Sequence, residues 1–169
     1  MKYPPIQVVN ERDEPLYGAT LDEIRKKGLW YRVVRVTVED DQGRLLLQKR
    51  SQNVLTLPGC WDTSAAGHVD EGEDYLAAAR RELAEEIGLQ RDDLDEIEYH
   101  PLRWVYQGLT LRGFSKTYRV EVQSGQKFIA APDEVEELRW FTRAEIAHLL
   151  KEHPELITDG LKHLLKLYL

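Results

Sequence analysis

This sequence lacks long apolar runs and has one cysteine, Cys60. A single cysteine excludes an intramolecular disulfide, and no segment is apolar and long enough to cross a membrane or to act as a signal peptide. The lysines and arginines form no long cluster of the kind that grips a phosphate backbone. There is also no internal repeat or low-complexity segment. We therefore expect a protein of the reducing cytoplasm whose partners include neither a membrane nor a nucleic-acid polymer.

The composition is that of a globular protein. The chain has 169 residues, 42% of them hydrophobic, so we expect residues 1–169 to form a single domain with a buried core. The formal net charge is −7. Residues 67–89 hold seven acidic and two basic residues, which contribute −5 to that total and leave −2 for the rest. The acidity of the chain is therefore mainly a local feature.

Within the acidic segment, residues 74–87 have the pattern of an amphipathic helix. Its apolar stripe consists of Leu76, Ala79, Leu83 and Ile87. Glu85 and Glu86 follow Glu82 by three and four residues, so we expect the three carboxylates to share an exposed face away from that stripe. Like charges at this spacing, near the C-terminal end of a helix, oppose its formation. A bound Mg²⁺ or Mn²⁺ would remove the penalty, because these ions prefer oxygen ligands. A solvated acidic face is the alternative.

The same segment resembles the Nudix box. It has every fixed position of that motif, at the spacing Gly67, Glu73, Arg81-Glu82, Glu85-Glu86 and Gly88-Leu89. The resemblance implies an α/β (α+β) fold, the Nudix-type α/β/α sandwich with a mixed sheet. It also implies a hydrolase that uses Mg²⁺ (or Mn²⁺) and an activated water to split the diphosphate of a small nucleotide-like substrate. The metal ligands would be Glu82, Glu85, Glu86 and Gly67. Glu82 would be the first candidate for the general base, and Glu73 would pair with Arg81.

Four further residues are candidates for contacts with substrate or metal. Family members often place another acid in a loop before the last strand, where Glu134 is the best-placed residue in this chain. Its competitors are Asp133, Glu136 and Glu137, and an acidic turn without function is an equal alternative. Lys49 or Arg50, at the end of a predicted strand, could meet substrate phosphates. Tyr106 lies seventeen residues after the box, a spacing that resembles dinucleoside-polyphosphate hydrolases.

The stretch that leads into the box, residues 45–68, resembles isopentenyl-diphosphate isomerase, a relative within the same superfamily. The shared residues are Gln48, Arg50-Ser51, Leu57-Pro58-Gly59 and Gly67-His68. That enzyme has a catalytic cysteine two residues before its histidine, where this chain has Ala66, and Cys60 lies too early to replace it. An isomerase-like enzyme is therefore a weaker alternative. A non-catalytic nucleotide-binding module is another, although such a module would usually carry a broken box.

Periodicity, turns and caps predict the secondary structure elsewhere. We expect strands at 6–9, 30–38, 45–50, 98–106, 116–122 and 138–141, and turns or loops at 10–17, 51–61, 92–98 and around Gly108 and Gly113. Capping boxes at Thr20 and Thr142 each predict a helix start. A terminal amphipathic helix should begin near Pro154. Its leucines could close the core or meet a second copy of the chain, which leaves a homodimer open.

Overall fold

The computed structural model describes residues 4–106 and 108–168, apart from the side chain of Tyr106. In this part of the chain the strands are β1 Ile6–Val9, β2 Pro15–Ala19, β3 Trp30–Asp40, β4 Leu45–Arg50, β5 Trp61–Asp62, β6 Ala65–His68, β7 Asp95–Tyr106, β8 Leu109–Val122 and β9 Val135–Phe141. The helices are α1 Leu21–Lys27, α2 Tyr75–Ile87, α3 Arg143–Glu152 and α4 Asp159–Leu165, with a 3₁₀ turn at Pro154–Leu156.

Strand β3 is the centre of a mixed sheet. It pairs antiparallel with β1, β6 and β4 in succession, and parallel with β8 along its whole length. Strand β2 adds to β1, β7 adds to β8, and both β5 and β9 pair with β4. Parallel strands need a long crossover connection, and here the connection between β3 and β8 contains α2. The sheet therefore fixes where the acidic helix lies.

The sheet is covered on both faces. Successive side chains of a strand point to opposite faces, so Leu46 on β4 packs with the cluster that includes Leu83 of α2. Its neighbours Leu45 and Leu47 pack with α3 and α4 on the other side, next to Leu161. All of these leucines are buried. The predicted α/β/α sandwich with a mixed sheet is confirmed.

Local signals fix several helix ends as expected. The side chain of Thr20 accepts a hydrogen bond from the backbone of Glu23, and α1 ends at Gly28 in the left-handed conformation. Thr142 caps α3 in the same way. The leucines of α4 are buried in the core, so this face of the terminal helix is not a free surface. None of the helices in the described residues has the length and apolarity needed to cross a membrane.

The prediction of a turn over residues 10–17 is partly wrong, because β2 begins at Pro15. Proline is tolerated there since it is the first residue of a strand at the end of the sheet path. The acidic stretch 92–98 is likewise not all loop. Strand β7 begins at Asp95 and its charged residues pair across to β8, as in the contact of Glu96 with Lys116 at 2.8 Å.

Gly113 is not a turn residue, which corrects the expected turn between β7 and β8. It lies within β8, opposite Tyr31, and a Cβ there would be 2.2 Å from the carbonyl oxygen of Tyr31. Glycine is needed for the close approach of two strands, a contact that cannot be read from the sequence. Pro154 also belongs to its own 3₁₀ turn, whereas α4 starts later with Thr158 as its cap.

Candidate active site

Helix α2 carries the acidic face and has well-defined ends. Asp74 accepts a hydrogen bond from the backbone N–H of Ala77 at 2.8 Å, as an N-cap does. Gly88 ends the helix in the left-handed conformation, with φ of 70°. Helix α2 packs against β3 and β6, with Leu83 and Ile87 fully buried. These contacts set the rotation of the helix and hence the direction of its three glutamates.

Arg81 joins the loop before the helix to the helix itself. Its Nε and Nη2 donate to the two oxygens of Glu73 at 3.1 and 2.9 Å, a forked geometry that favours arginine over lysine. Nη2 also donates to the carbonyl of His68 at 2.9 Å. The predicted pairing of Glu73 with Arg81 is therefore present, and it ties the end of β6 to the middle of α2.

The same guanidinium reaches the glutamates. Nη1 of Arg81 donates to Glu82 at 2.7 Å and to Glu85 at 3.3 Å. Glu82 lies directly beneath the backbone of Gly67, where a Cβ would be 1.9 Å from the Oε1 atom. Burial raises the pKa of Glu82 to about 7, against the lowering effect of Arg81, and the charge of Glu85 contributes to the rise.

Glu86 is held from the side of the sheet. Its Oε2 accepts hydrogen bonds from the side chain of Gln48 on β4 at 2.7 Å and from the backbone N–H of Ala66 at 2.9 Å. Burial raises the pKa of Glu86 well above its ordinary value, and the charge of Glu82 adds to this despite the two hydrogen bonds. Gln48 is a site residue that the sequence analysis missed. Its signal in the sequence was weak, because Gln48 directly follows the three leucines of β4 and precedes Lys49 and Arg50.

The prediction of one exposed acidic face is wrong for two of the three glutamates. Glu82 is 8% and Glu86 3% exposed, whereas the side chain of Glu85 is 61% exposed. Helix periodicity gives the direction of a side chain but not what covers it. Here β6 and the side chain of Gln48 cover the acidic face, so two carboxylates lie in a buried environment and the third faces solvent.

The loop before β9 closes the end of the helix. The N–H groups of Ile129 and Ala131 donate to the carbonyls of Ile87 and Glu86, both at 2.9 Å. These contacts bring the exposed Glu134 near the buried pair, where its charge contributes to the raised pKa of Glu82 and Glu86. Of its competitors, Glu136 is paired with Lys49 instead.

Lys49 and Arg50 contact residues other than the glutamates of α2. Lys49 donates to Glu136 at 2.7 Å. Arg50 donates to the carbonyl of Thr56 at 3.0 Å and approaches Asp62 at 3.5 Å, so it supports the loop after β4. Within the described residues, neither forms a hydrogen bond or an ion pair with the carboxylates of α2.

Residues 30–161 match the family model described as the NUDIX domain. The chain belongs to this family. The match extends well beyond the 23-residue box: it includes α2, α3 and strands β3 to β9, and it ends within the first turn of α4. Family membership supports the assignment of this Nudix protein as a hydrolase.

Similar proteins align with nearly the whole chain, and one of the following three is named a Nudix hydrolase. The uncharacterized Nudix hydrolase YfcD of Escherichia coli K12 is 30% identical over 159 residues, covering 94% of this chain and 83% of its own. Isopentenyl-diphosphate Delta-isomerase 2 of Photorhabdus laumondii is 27% identical over 166 residues, covering 94% and 88%. The crystal structure of DR0079 from Deinococcus radiodurans is 29% identical, with a TM-score of 0.72 over 95% of this chain and 96% of its own. The Nudix fold is thus shared along nearly the whole chain.

Proposed function

We propose that this Nudix protein hydrolyses a phosphoanhydride bond, the diphosphate of a small nucleotide-like substrate, with Mg²⁺ or Mn²⁺. The observation that carries the proposal is the pair of buried carboxylates, Glu82 and Glu86, held beside an exposed third, Glu85. Two buried acids within one helical turn cost stability unless something positive compensates them. A divalent cation bound for the hydrolysis of a charged diphosphate would compensate the two buried acids.

The residues suit a hard divalent cation. Mg²⁺ and Mn²⁺ take oxygen ligands and are held by a few carboxylates together with substrate phosphates. Burial raises the pKa of Glu82 and Glu86, because it disfavours their charged forms. A cation bound beside them would favour the charged forms again. Gly67 leaves the space above Glu82 free of a side chain. We propose Glu82, Glu85, Glu86 and the backbone of Gly67 as the ligands. The bound ion would acidify water and offset the charge of the diphosphate.

We assign different roles to the glutamates. Glu86, fixed by Gln48 and the backbone of Ala66, is the most rigid and serves as a ligand. Glu82, whose pKa lies at about 7, is the first candidate to take the proton of the attacking water. Glu134 lies on the exposed side and is the second candidate. The carboxylates interact, so they titrate as a set.

Arg81 and Glu73 position this group of carboxylates. Arg81 contacts Glu73, Glu82 and Glu85 through one guanidinium, which fixes the rotamers of two proposed ligands. We also propose Arg50 as a contact of the substrate phosphates, for which its guanidinium would have to leave the carbonyl of Thr56 in the neighbouring loop. Lys49 would have to leave Glu136 to reach a substrate.

The isomerase remains the second candidate because of the similarity to the relative named isopentenyl-diphosphate Delta-isomerase 2. Against it stands the chemistry at position 66, where alanine offers no thiol. The thiol of Cys60 is buried and lies 3.6 Å from the carbonyl of Glu155. Burial raises its pKa, which makes it a poor acid. The hydrolase uses residues that are present, and the isomerase needs one that is not.

The test is a product-release screen with Mg²⁺ and Mn²⁺. Its substrates are nucleoside di- and triphosphates, nucleotide sugars, dinucleoside polyphosphates and ADP-ribose, with isopentenyl diphosphate followed separately for isomerisation. Glu86→Gln keeps the shape of the buried side chain and should abolish turnover. Hydrolysis by the wild type and none by the variant supports the proposal. Isomerisation without hydrolysis would overturn it, and so would a thermal shift with nucleotides without any turnover, which indicates a binding module.

We further propose that residues 1–169 form one domain, which acts in the cytoplasm on a small phosphorylated molecule. Any homodimer would have to use a surface other than the apolar face of α4, because Leu161, Leu164 and Leu165 are buried within the chain. The molar mass measured by light scattering will show whether the chain forms a dimer.

A further inference from the structure

Two histidines and a glutamate converge on the face of the sheet opposite α2. Glu98 and His100 are alternate residues of β7, and His163 lies on α4. Tyr99, between the first two, turns toward α2, where its ring meets Tyr75 with centroids 6.4 Å apart. Side chains alternate along a strand, so Glu98 and His100 point the other way. The cluster is therefore separate from the glutamates of α2.

The ligand atoms of this cluster are close together. Oε1 of Glu98 lies 2.8 Å from Nε2 of His163, and its Oε2 lies 3.2 Å from Nδ1 of His100. One nitrogen or oxygen from each of the three residues lies within 4.8 Å of the others. In a tetrahedral site with bonds of about 2.0–2.1 Å, neighbouring ligand atoms are about 3.3 Å apart. The two separations between carboxylate oxygen and imidazole nitrogen, 2.8 and 3.2 Å, are near that value, and the remaining separations are no longer than 4.8 Å.

Hydrogen bonding does not fully account for the cluster. Oε2 of Glu98 and Nδ1 of His100 are buried and, within the described residues, lack a hydrogen-bond partner of good geometry although they face each other. Oγ1 of Thr117, on the residue opposite Glu98 in β8, is also buried without a partner in that part of the chain. Buried polar atoms are rarely left unpaired, and a missing ion is one explanation.

The two imidazoles lie side by side. Their rings stack with centroids 4.0 Å apart. A neutral imidazole keeps a nitrogen lone pair for an ion. The side chain of His163 is 38% exposed, which leaves a route from solvent.

We propose that Glu98, His100 and His163 form a second metal site, for a Zn²⁺-class divalent ion, between β7 and α4. Imidazole nitrogen with one carboxylate suits Zn²⁺, Co²⁺ or Ni²⁺ better than Mg²⁺. The nearby guanidinium of Arg35 opposes any cation, and the carboxylate of Glu98 offsets it. The ion would fasten the terminal helix to the hairpin of β7 and β8 and would leave a fourth position for water. The site does not depend on the proposed hydrolase activity.

The experiment uses the full chain, stripped with a chelator and returned to excess Mg²⁺, which occupies oxygen-ligand sites. Zn²⁺ is then titrated by calorimetry and Co²⁺ by visible absorption, which reports nitrogen ligands in a tetrahedral site. The variants are His163→Gln and His100→Asn. Their amides can replace the ring N–H as donors to Glu98 but offer no imidazole lone pair. His148→Gln, on an exposed histidine of α3, is the matched control.

We expect one Zn²⁺ per chain for the wild type and for His148→Gln, and a loss of affinity of at least about tenfold in each cluster variant. Saturating Zn²⁺ should raise the Tm of the wild type by about 5–10 °C and leave the cluster variants unchanged. Circular dichroism checks that the variants are folded. If one of them does not fold, Glu98→Gln replaces it. Equal Zn²⁺ binding by wild type and folded cluster variants, or no binding by the wild type, overturns the proposal.

Discussion

The backbone of Gly67 approaches Glu82 so closely that a Cβ at position 67 would lie 1.9 Å from Oε1 and 2.1 Å from Cδ of the carboxyl group. Both partners are constrained, because Gly67 lies in β6, paired with Val34, and Glu82 is buried on α2. The strand and the helix thus define one position for the carboxylate. A methyl group between them must push Glu82 out of that position or separate the two elements.

We therefore expect Gly67→Ala to reduce turnover by at least tenfold and to lower the free energy of unfolding by about 1–3 kcal/mol, as overpacking does. Gly72→Ala is the control, because a Cβ there meets nothing within 4 Å, although its φ of +80° brings some strain. Assay and urea denaturation should show a stability loss without an activity loss in the control. Full activity for Gly67→Ala would contradict the role given to this contact.

Arg81→Lys should be nearly as damaging as Arg81→Ala. A lysine cannot donate to both oxygens of Glu73 and also to Glu82, since it lacks the planar fork. We expect a loss of about 2 kcal/mol in stability, together with a fall in kcat. Arg80→Ala is the neighbouring control, with an effect within about 1 kcal/mol, because Arg80 pairs with the exposed Asp92. Equal losses of stability and kcat at positions 80 and 81 would show that the pairing of Arg81 with Glu73 contributes no more than an exposed ion pair.

Gln48→Leu removes the side-chain donor to Glu86 at nearly constant volume. We expect the Mg²⁺ concentration for half-maximal activity to rise by about 10–100-fold, with a smaller change in kcat at saturating Mg²⁺, because the residue orients a proposed ligand. Gln52→Leu is the matched control, since Gln52 donates to Glu136 away from α2. A Mg²⁺ dependence that is identical in both variants would place Gln48 outside the site.

The metal-free protein should lose stability as the pH rises. The pKa of Glu82 is about 7 in the folded chain, above its ordinary value of 4.5, so the folded state holds the proton more tightly. Its contribution is fully present below about pH 4.5 and is lost as the pH rises through about 7. The loss amounts to roughly 3 kcal/mol, since each pKa unit corresponds to about 1.4 kcal/mol. The raised pKa of Glu86 acts in the same direction.

Denaturation in chelator at pH 5, 6, 7 and 8 measures this effect as the difference between wild type and Glu82→Gln. The free energy of unfolding of the wild type should fall relative to that of the variant across this pH range. Added Mg²⁺ should make this decrease smaller. Glu85→Gln, which neutralises an exposed side chain, should keep most of the slope. A difference that does not change with pH would show that Glu82 titrates like an ordinary carboxyl group.

Features set by neighbouring residues could be predicted from the sequence. The left-handed Gly88 and the capping boxes at Thr20 and Thr142 depend on a few adjacent residues, and all are present. The pairing of Glu73 with Arg81 followed from the family resemblance.

Features set by distant segments could not be predicted. Glu82 and Glu86 are buried because β6 and Gln48 cover them, and no periodicity within the helix contains that information. Glycine is common in turns, but Gly113 lies within a strand. The reason is its close contact with the backbone of Tyr31, which lies 82 positions earlier in the chain. The donor to Glu86 was missed for the same reason, since β4 and α2 are joined through tertiary structure alone.

The hydrogen bonds from Ile129 and Ala131 to the last carbonyls of α2 have a consequence for engineering. These donors lie about forty residues after the acidic motif. Gln48, which donates to the side chain of Glu86, lies about twenty residues before it. A peptide of residues 67–89, or a graft of that stretch onto a foreign scaffold, would carry all the glutamates yet leave their supports behind. The 23-residue motif is therefore not a transplantable unit, and the smallest portable piece runs from β3, with which β6 and β8 pair and against which α2 packs, to β9.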